Sequence, residues 1–216
     1  TIMMLLWPAS QLTSTLHYKP RQLESLAQWF AVVLFSLSFA MNIALNNYSV
    51  ALIPISVNLI IRSCFPLPTW IAQQVTSWCT GDDSKKDIHL TDLTFMLLGC
   101  VFAALAVFAK TRSLGVDSAE CKNLVSGVIV CVVSLFSGAL SLALAGVLGT
   151  SLKLNEFDTV IYMSVPTTVL LIGPIFLIHH PVAWEGEGAM TDWSVTQEVE
   201  RTSPSIIGLV AFSGVL

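Results

Sequence analysis

Val50–Ala72 reads VALIPISVNLIIRSCFPLPTWIA, an apolar segment long enough to cross a bilayer that carries one charged residue, Arg62, near its middle. A guanidinium at the centre of a membrane helix costs about 2.5–3.5 kcal/mol on insertion scales, so such residues face a protein interior or a wet cavity and mark function. Pro66 follows four residues later without an N–H, and in a continuous helix the Arg62 carbonyl would lose its donor. The stretch thus predicts a fixed positive charge and a freed backbone acceptor within one turn, as in interrupted membrane helices that line a binding cavity. Asn58, one turn earlier, falls on the same face and adds an amide.

Composition places the whole chain in the same class. Of its 216 residues 54% are hydrophobic and 11% charged, with a mean hydropathy of +0.75, where soluble domains carry roughly 25% charged residues. The expectation is an integral membrane protein, an all-α polytopic helix bundle forming a single membrane domain over 1–216. The net charge of −4 comes from 14 acidic and 10 basic side chains. They lie mostly between the apolar runs, and without a basic stripe nucleic acid is not expected as a partner.

Outward from the Arg62 stretch, full spans are expected over residues 26–46, 50–72, 93–109, 124–148 and 157–178. Partial spans over 1–7 and 206–216 read as helices cut short, since 11 residues at about 1.5 Å each cover only half of a ~30 Å hydrocarbon core. Asn42 and Asn46 close the first span, either capping a polar helix end or lining a cavity. Asn47-Tyr48-Ser49 matches a glycosylation sequon, but it is expected in a tight turn against the membrane and unmodified. Gly99 and Ala103 form a small-xxx-small pair. Ser137, Ser141, Ala145 and Gly149 recur every four residues, with Ser134 and Gly138 beside them, and small residues at such spacing let helix backbones approach. The span over 157–178 holds Tyr162, Ser164, Pro166, Thr167, Thr168, Gly173 and Pro174; Thr167 and Thr168 are expected to bond their own helix backbone. The 181–205 stretch, with five carboxylates and Arg201, reads as a solvated surface.

Neither the cysteines nor the histidines point to a site. Cys64, Cys100 and Cys131 sit in apolar runs as small hydrophobes, while Cys79 and Cys121 fall in loops on opposite faces, so no disulfide framework follows. His179 and His180 end a span at the interface with too few converging ligands for a metal site. Without a carboxylate pair or a Ser/His/Asp set at depth, no catalytic residue is expected, and the chain is read as neither an enzyme nor a cofactor protein. Loop cations, five on one face against four on the other, do not decide topology by the positive-inside rule.

The run NIALNNYSVALIPISVNLIIRSCFP resembles the third-to-fourth helix region of the triose-phosphate and nucleotide-sugar translocators, in the drug/metabolite transporter superfamily, solute carrier 35 group. Arg62-Ser63-Cys64-Phe65-Pro66 matches the family pattern of a basic residue, serine, two variable residues and proline. LNEFDTVIYMSVPTTVLLIGPIFLI is similar to the family's seventh helix. The chain departs from many relatives at Leu59 and Lys110. The resemblance implies a fragment of a ten-helix fold, from the end of helix two into helix eight, that exchanges substrate by alternating access at the midplane. It also implies a cytosolic five-cation face and a lumenal 181–205 stretch.

On these grounds the expected function is a membrane antiporter of phosphorylated sugars, foremost a nucleotide sugar exchanged for nucleoside monophosphate in the Golgi or endoplasmic reticulum. Arg62 offers phosphate a fork of donors, Asn58 and Tyr162 orient the rest, and Asn42 and Ser63 complete the candidate substrate-binding set. The lipid bilayer and the substrate are the expected partners, with a homodimer as a further expectation. The alternatives are a plastid-envelope sugar-phosphate/phosphate translocator and a non-transporting membrane scaffold of the same fold.

Overall fold

A computed structural model describes residues 21–81, 89–114, 119–182 and 188–213. The partial span over 1–7 lies outside the described residues. Among the described residues the chain forms helices α1 (Leu26–Leu52), α2 (Ile55–Arg62), α3 (Pro66–Thr80), α4 (Leu90–Leu114), α5 (Ala119–Thr150) and α6 (Glu156–Leu177). A short antiparallel hairpin, β1 (His179–Pro181) and β2 (Ala189–Thr191), pairs His180 with Met190. Helices α7 (Asp192–Thr202) and α8 (Pro204–Ser213) follow. The protein is thus almost wholly helical, and α1, α4, α5 and α6 are each long and apolar enough to cross a membrane. Taken as one bent element, α2 and α3 supply a fifth crossing.

Local chemistry sets the helix ends. At the start of α1, Ser25 and Gln28 form a capping box that satisfies backbone donors with no partner in the first turn. The first span does not stop at Asn46 but runs through the sequon residues to Leu52, so Asn47-Tyr48-Ser49 is helix and not turn. It ends where Pro54 forbids helical geometry at the residue before it, and Ile53 is extended at φ −126° and ψ 150°. The chain then divides again. Between α2 and α3, Cys64 N–H donates to Ile61 O and Phe65 N–H to Arg62 O, a tightened turn leading into Pro66 at the start of α3. The two helices meet at 44°. Gly81 closes α3 at φ 66°, a left-handed position suited to glycine. Asn155 caps α6 by accepting from the Asp158 N–H at 2.8 Å, and α6 continues through both Pro166 and Pro174.

The most extensive helix contact joins α1 to α5, and α1 also carries α6. Two apolar clusters lie along it. Val32 and Phe35 of α1 pack with Leu144, Leu148 and Leu154 near one end; Ile53, Val57 and Ile61 pack with Leu124, Cys131 and Leu135 nearer the other. Hence α5 runs antiparallel to α1, while the edge-to-face pair of Trp29 and Tyr162, centroids 5.7 Å apart, sets α6 parallel to α1. Many large apolar side chains outside these clusters are exposed, among them Phe95, Phe102, Val169 and Leu177, as expected of helices whose outer faces meet lipid.

The small-residue stripe packs as expected but in a different register. Gly127, Cys131, Ser134, Gly138 and Ser141, alternating four and three apart, form the buried face, whereas Ser137 and Ala145 are half-buried and Gly149 is exposed. The alternation tracks a helix crossing its neighbour at a shallow angle, which a strict four-residue row cannot follow. Gly127 and Gly138 are needed for close approach. A Cβ on Gly127 would sit 2.4 Å from Ile53 Cγ2 and 2.8 Å from Leu52 Cβ, and one on Gly138 would sit 3.0 Å from the Asn42 amide.

Of the 181–205 stretch, the described residues 188–205 form a strand and two helix segments with mostly exposed side chains. His180 Nε2 meets Asp192 Oδ1 at 2.9 Å, tying the hairpin to the first turn of α7, and Trp193 stacks at a tilt on Phe176 of α6, centroids 5.3 Å apart. Cys121 lies buried in the first turns of α5 and not in a loop; Cys79 is exposed in the last turn of α3, and among the described residues no disulfide joins any of the five cysteines.

Candidate functional site

Arg62 is the last residue of α2, half-buried, at the tightened turn where the broken helix changes direction. Its guanidinium lies within electrostatic reach of the Cys131 thiol, close to the middle of α5. Among the described residues it makes no hydrogen bond and no ion pair. Among the described residues this half-buried charge therefore has no fixed counter-ion. Its carbonyl is a different matter. Phe65 N–H donates to it at 3.0 Å, so the acceptor expected to be freed by Pro66 is occupied. The tightened turn supplies an i→i+3 bond where the i→i+4 donor is missing.

Asn58 does not face a cavity. Only 4% exposed, its amide nitrogen donates to Ser49 Oγ at 2.8 Å, to Asn46 Oδ1 at 3.3 Å and toward Cys131 Sγ at 3.4 Å. It joins α1, α2 and α5. Asn42 serves the same seam one turn away, accepting from Ser134 Oγ at both its carbonyl (3.0 Å) and its side-chain oxygen (3.2 Å). Of the two readings for the asparagine pair, neither self-capping nor cavity lining describes Asn42; it is a bridge between helices. Ser63 is exposed, with its hydroxyl donating to Ile60 O at 2.7 Å. It lines a shallow pocket of about 430 Å³ with Pro66, Asp92, Phe95 and Met96.

Tyr162 lies at the far end of the bundle. Its hydroxyl donates to the Arg21 carbonyl, and its ring packs on Trp29. Trp29 and Asn46 are separated along α1 by about 25 Å at roughly 1.5 Å per residue. The candidate residues therefore form no common pocket: Arg62, Asn58 and Asn42 share the middle of the bundle, and Tyr162 anchors the segment before α1. Around it, the Arg21 N–H donates to Asp158 Oδ1 at 3.2 Å, with Asp158 buried in the first turn of α6.

On α6, Thr168 Oγ1 donates to Ser164 O at 2.7 Å, as expected of a helical threonine, whereas the buried Thr167 hydroxyl finds no partner among the described residues. No family model, curated protein or solved structure matches the chain.

The polar seam was missed at the level of residues, although its signal was present. Polar and small side chains on α1 (Asn42, Asn46, Ser49) recur at three- and four-residue spacing, as do those on α5 from Gly127 to Ser141. Two such rows on consecutive spans are complementary and can satisfy each other across an interface.

Proposed function

We propose that the protein is a membrane exchanger of phosphorylated solutes in which Arg62 binds the substrate phosphate. The observation that carries the reading is the Arg62 guanidinium, half-buried beside the middle of α5 with no carboxylate or carbonyl partner among the described residues. A permanently charged group in that position needs an anion, and phosphate oxygens match the donor fork of arginine. The broken helix supports the same reading, since a bend of 44° at the charged residue is where a span can open or close against its neighbours. The resemblance of Arg62–Pro66 to sugar-phosphate and nucleotide-sugar translocators narrows the class to a phosphorylated sugar, first a nucleotide sugar exchanged for nucleoside monophosphate. A ten-helix fold and a Golgi or endoplasmic-reticulum membrane belong to that reading. Asn58, Asn42 and Tyr162 then act by holding helices and not by touching substrate.

The test is counterflow exchange in proteoliposomes loaded with nucleoside monophosphate. Arg62→Ala should abolish uptake of labelled nucleotide sugar and Arg62→Lys should keep a fraction of it, because charge survives and bidentate geometry does not. Uptake by Arg62→Ala equal to the parent's would end the proposal.

A second reading, a helix scaffold without exchange, is favoured by the same seam. Four of the five candidate polar residues, Asn58, Asn42, Tyr162 and Ser63, are bonded to the protein itself. Under it, no nucleotide sugar or sugar phosphate raises the melting temperature of the purified chain.

A further inference from the structure

Cys64 occupies the turn between α2 and α3, and Cys100 lies near the middle of α4. Taken one apolar run at a time, each is a small hydrophobe, but the fold brings the two thiols into hydrogen-bonding contact. Both are half-buried, and they line one apolar cavity together. Cys64 also faces the pocket of about 430 Å³ on its other side, where Asp92, Phe95 and Met96 of α4 form the opposite wall. Met96 stands four residues before Cys100, so its thioether and the Cys100 thiol share one face of α4. Three sulfur side chains, one from the turn at the bend and two from successive turns of α4, thus gather where α4 packs against the bend.

The donor set decides which ion it suits. Thiolate and thioether sulfur are soft ligands that select Cu(I), whereas structural zinc sites take four thiolate or imidazole ligands. Among the described residues no three His, Cys, Asp or Glu side chains gather for a metal, so the sulfur trio has no fourth, harder ligand at hand. In a trigonal site with metal–sulfur bonds of about 2.3 Å, the sulfurs lie about 4 Å apart. That spacing is open to two thiols in contact and to methionine, whose three rotatable bonds let its sulfur adjust. Asp92, exposed in the first turn of α4 and one turn before Met96, adds a carboxylate to the same pocket wall. Its negative charge raises the local concentration of cations.

We propose that Cys64, Met96 and Cys100 form a Cu(I) site at the bend. As the ion binds, each thiol gives its proton to solvent and bonds through the thiolate, while Met96 bonds through a sulfur lone pair and loses no proton. Two protons leave for each Cu(I) taken up, and the ion keeps its oxidation state. The bound ion ties α4 to the turn that joins α2 and α3. The site is independent of the exchange reading, which assigns none of the three sulfurs to substrate.

Anaerobic titration of the detergent-purified chain with Cu(I), in competition with a chromophoric Cu(I) chelator, tests the site. The parent should hold one Cu(I) per chain, with sulfur-only coordination by X-ray absorption and two protons released in weak buffer. Cys64→Ser and Cys100→Ser should each surrender the ion to the chelator, with Cys64→Ala and Cys100→Ala as substitutes should a serine variant unfold. Met96→Leu keeps the side-chain volume and should weaken binding about tenfold or more, since partners one shell further from a metal already change affinity by about 10–100-fold. Cys79→Ser removes the exposed thiol in the last turn of α3 and should leave stoichiometry and affinity unchanged. Absence of stoichiometric binding, binding that survives loss of both Cys64 and Cys100, parental affinity in Met96→Leu, loss of the ion in Cys79→Ser, or displacement by equimolar Zn(II) would each overturn the site.

Discussion

Asn58 is the residue whose role the structure changes most. Its amide bonds across α1 and α5, so Asn58→Ala leaves Asn46 and Ser49 without their partner in an interior that offers no replacement. Interhelical hydrogen bonds in membranes average about 0.6 kcal/mol and reach about 1.7, and the loss should lie in the upper part of that range. Denaturant unfolding in detergent checks this, and substrate KM measured on the folded fraction should not move. Tyr162→Phe removes one hydrogen bond to the Arg21 carbonyl, so a stability loss of about 0.5–1.5 kcal/mol is expected. If Tyr162→Phe stopped exchange without loss of stability, a direct substrate contact would have to be restored to it. The polarity of both residues was legible from sequence, but its direction was not. One turn of helix separates an amide facing a cavity from one facing a neighbouring helix, and a single span does not contain the partner that decides between them.

At the scale of elements, the α1–α5 seam depends on glycines that admit the opposing backbone. Gly127→Ala places a methyl against Leu52 and Ile53 at distances that only movement of the helix end relieves. Overpacking of this kind costs about 1–3 kcal/mol, read as a lower melting temperature in detergent. Gly138→Ala meets only the Asn42 side chain, which can turn away, so its smaller cost should come with loss of the Ser134–Asn42 bond. Long apolar helices were readable from composition: the stretch over 157–178 differs from α6 by one residue at each end, whereas that over 50–72 divides among the end of α1, α2 and α3. Where α1 stops was not readable from polarity. Asn47, Tyr48 and Ser49 look like a turn, but their helix continues because Ser49 Oγ donates back to Asn46 O at 2.8 Å and accepts from Asn58. The stop comes from Pro54, a steric signal that the polar run before it masks in the sequence. The pairing of β1 with β2 was hidden likewise, since it joins residues up to 12 apart in the chain.

For the whole molecule, the two short helices at the bend differ from the four long helices around them. Helices α1 and α5 carry the polar seam, and α6 packs on the cluster of Val32, Phe35, Leu144 and Leu148. Helix α2 adds Asn58 to the seam and Val57 and Ile61 to the other cluster, and it joins α3 through a tightened turn at Arg62, the only Lys or Arg within the expected spans. Membrane character and an interrupted helix were plain in the sequence because both are local properties of composition and proline position. The assembly of a pocket depends on contacts between distant segments, and so the expected grouping of Arg62 with Tyr162 fails by about 25 Å along α1. The central claim is that the Arg62 charge is kept free for an anion. The most direct measurement is the melting temperature of the detergent-purified chain against rising nucleotide sugar. A ligand that binds only the folded state adds about 2.7 kcal/mol at a hundred times its dissociation constant. The account predicts a saturable rise for the parent, a reduced one for Arg62→Lys and none for Arg62→Ala. A rise of equal size in Arg62→Ala would contradict it.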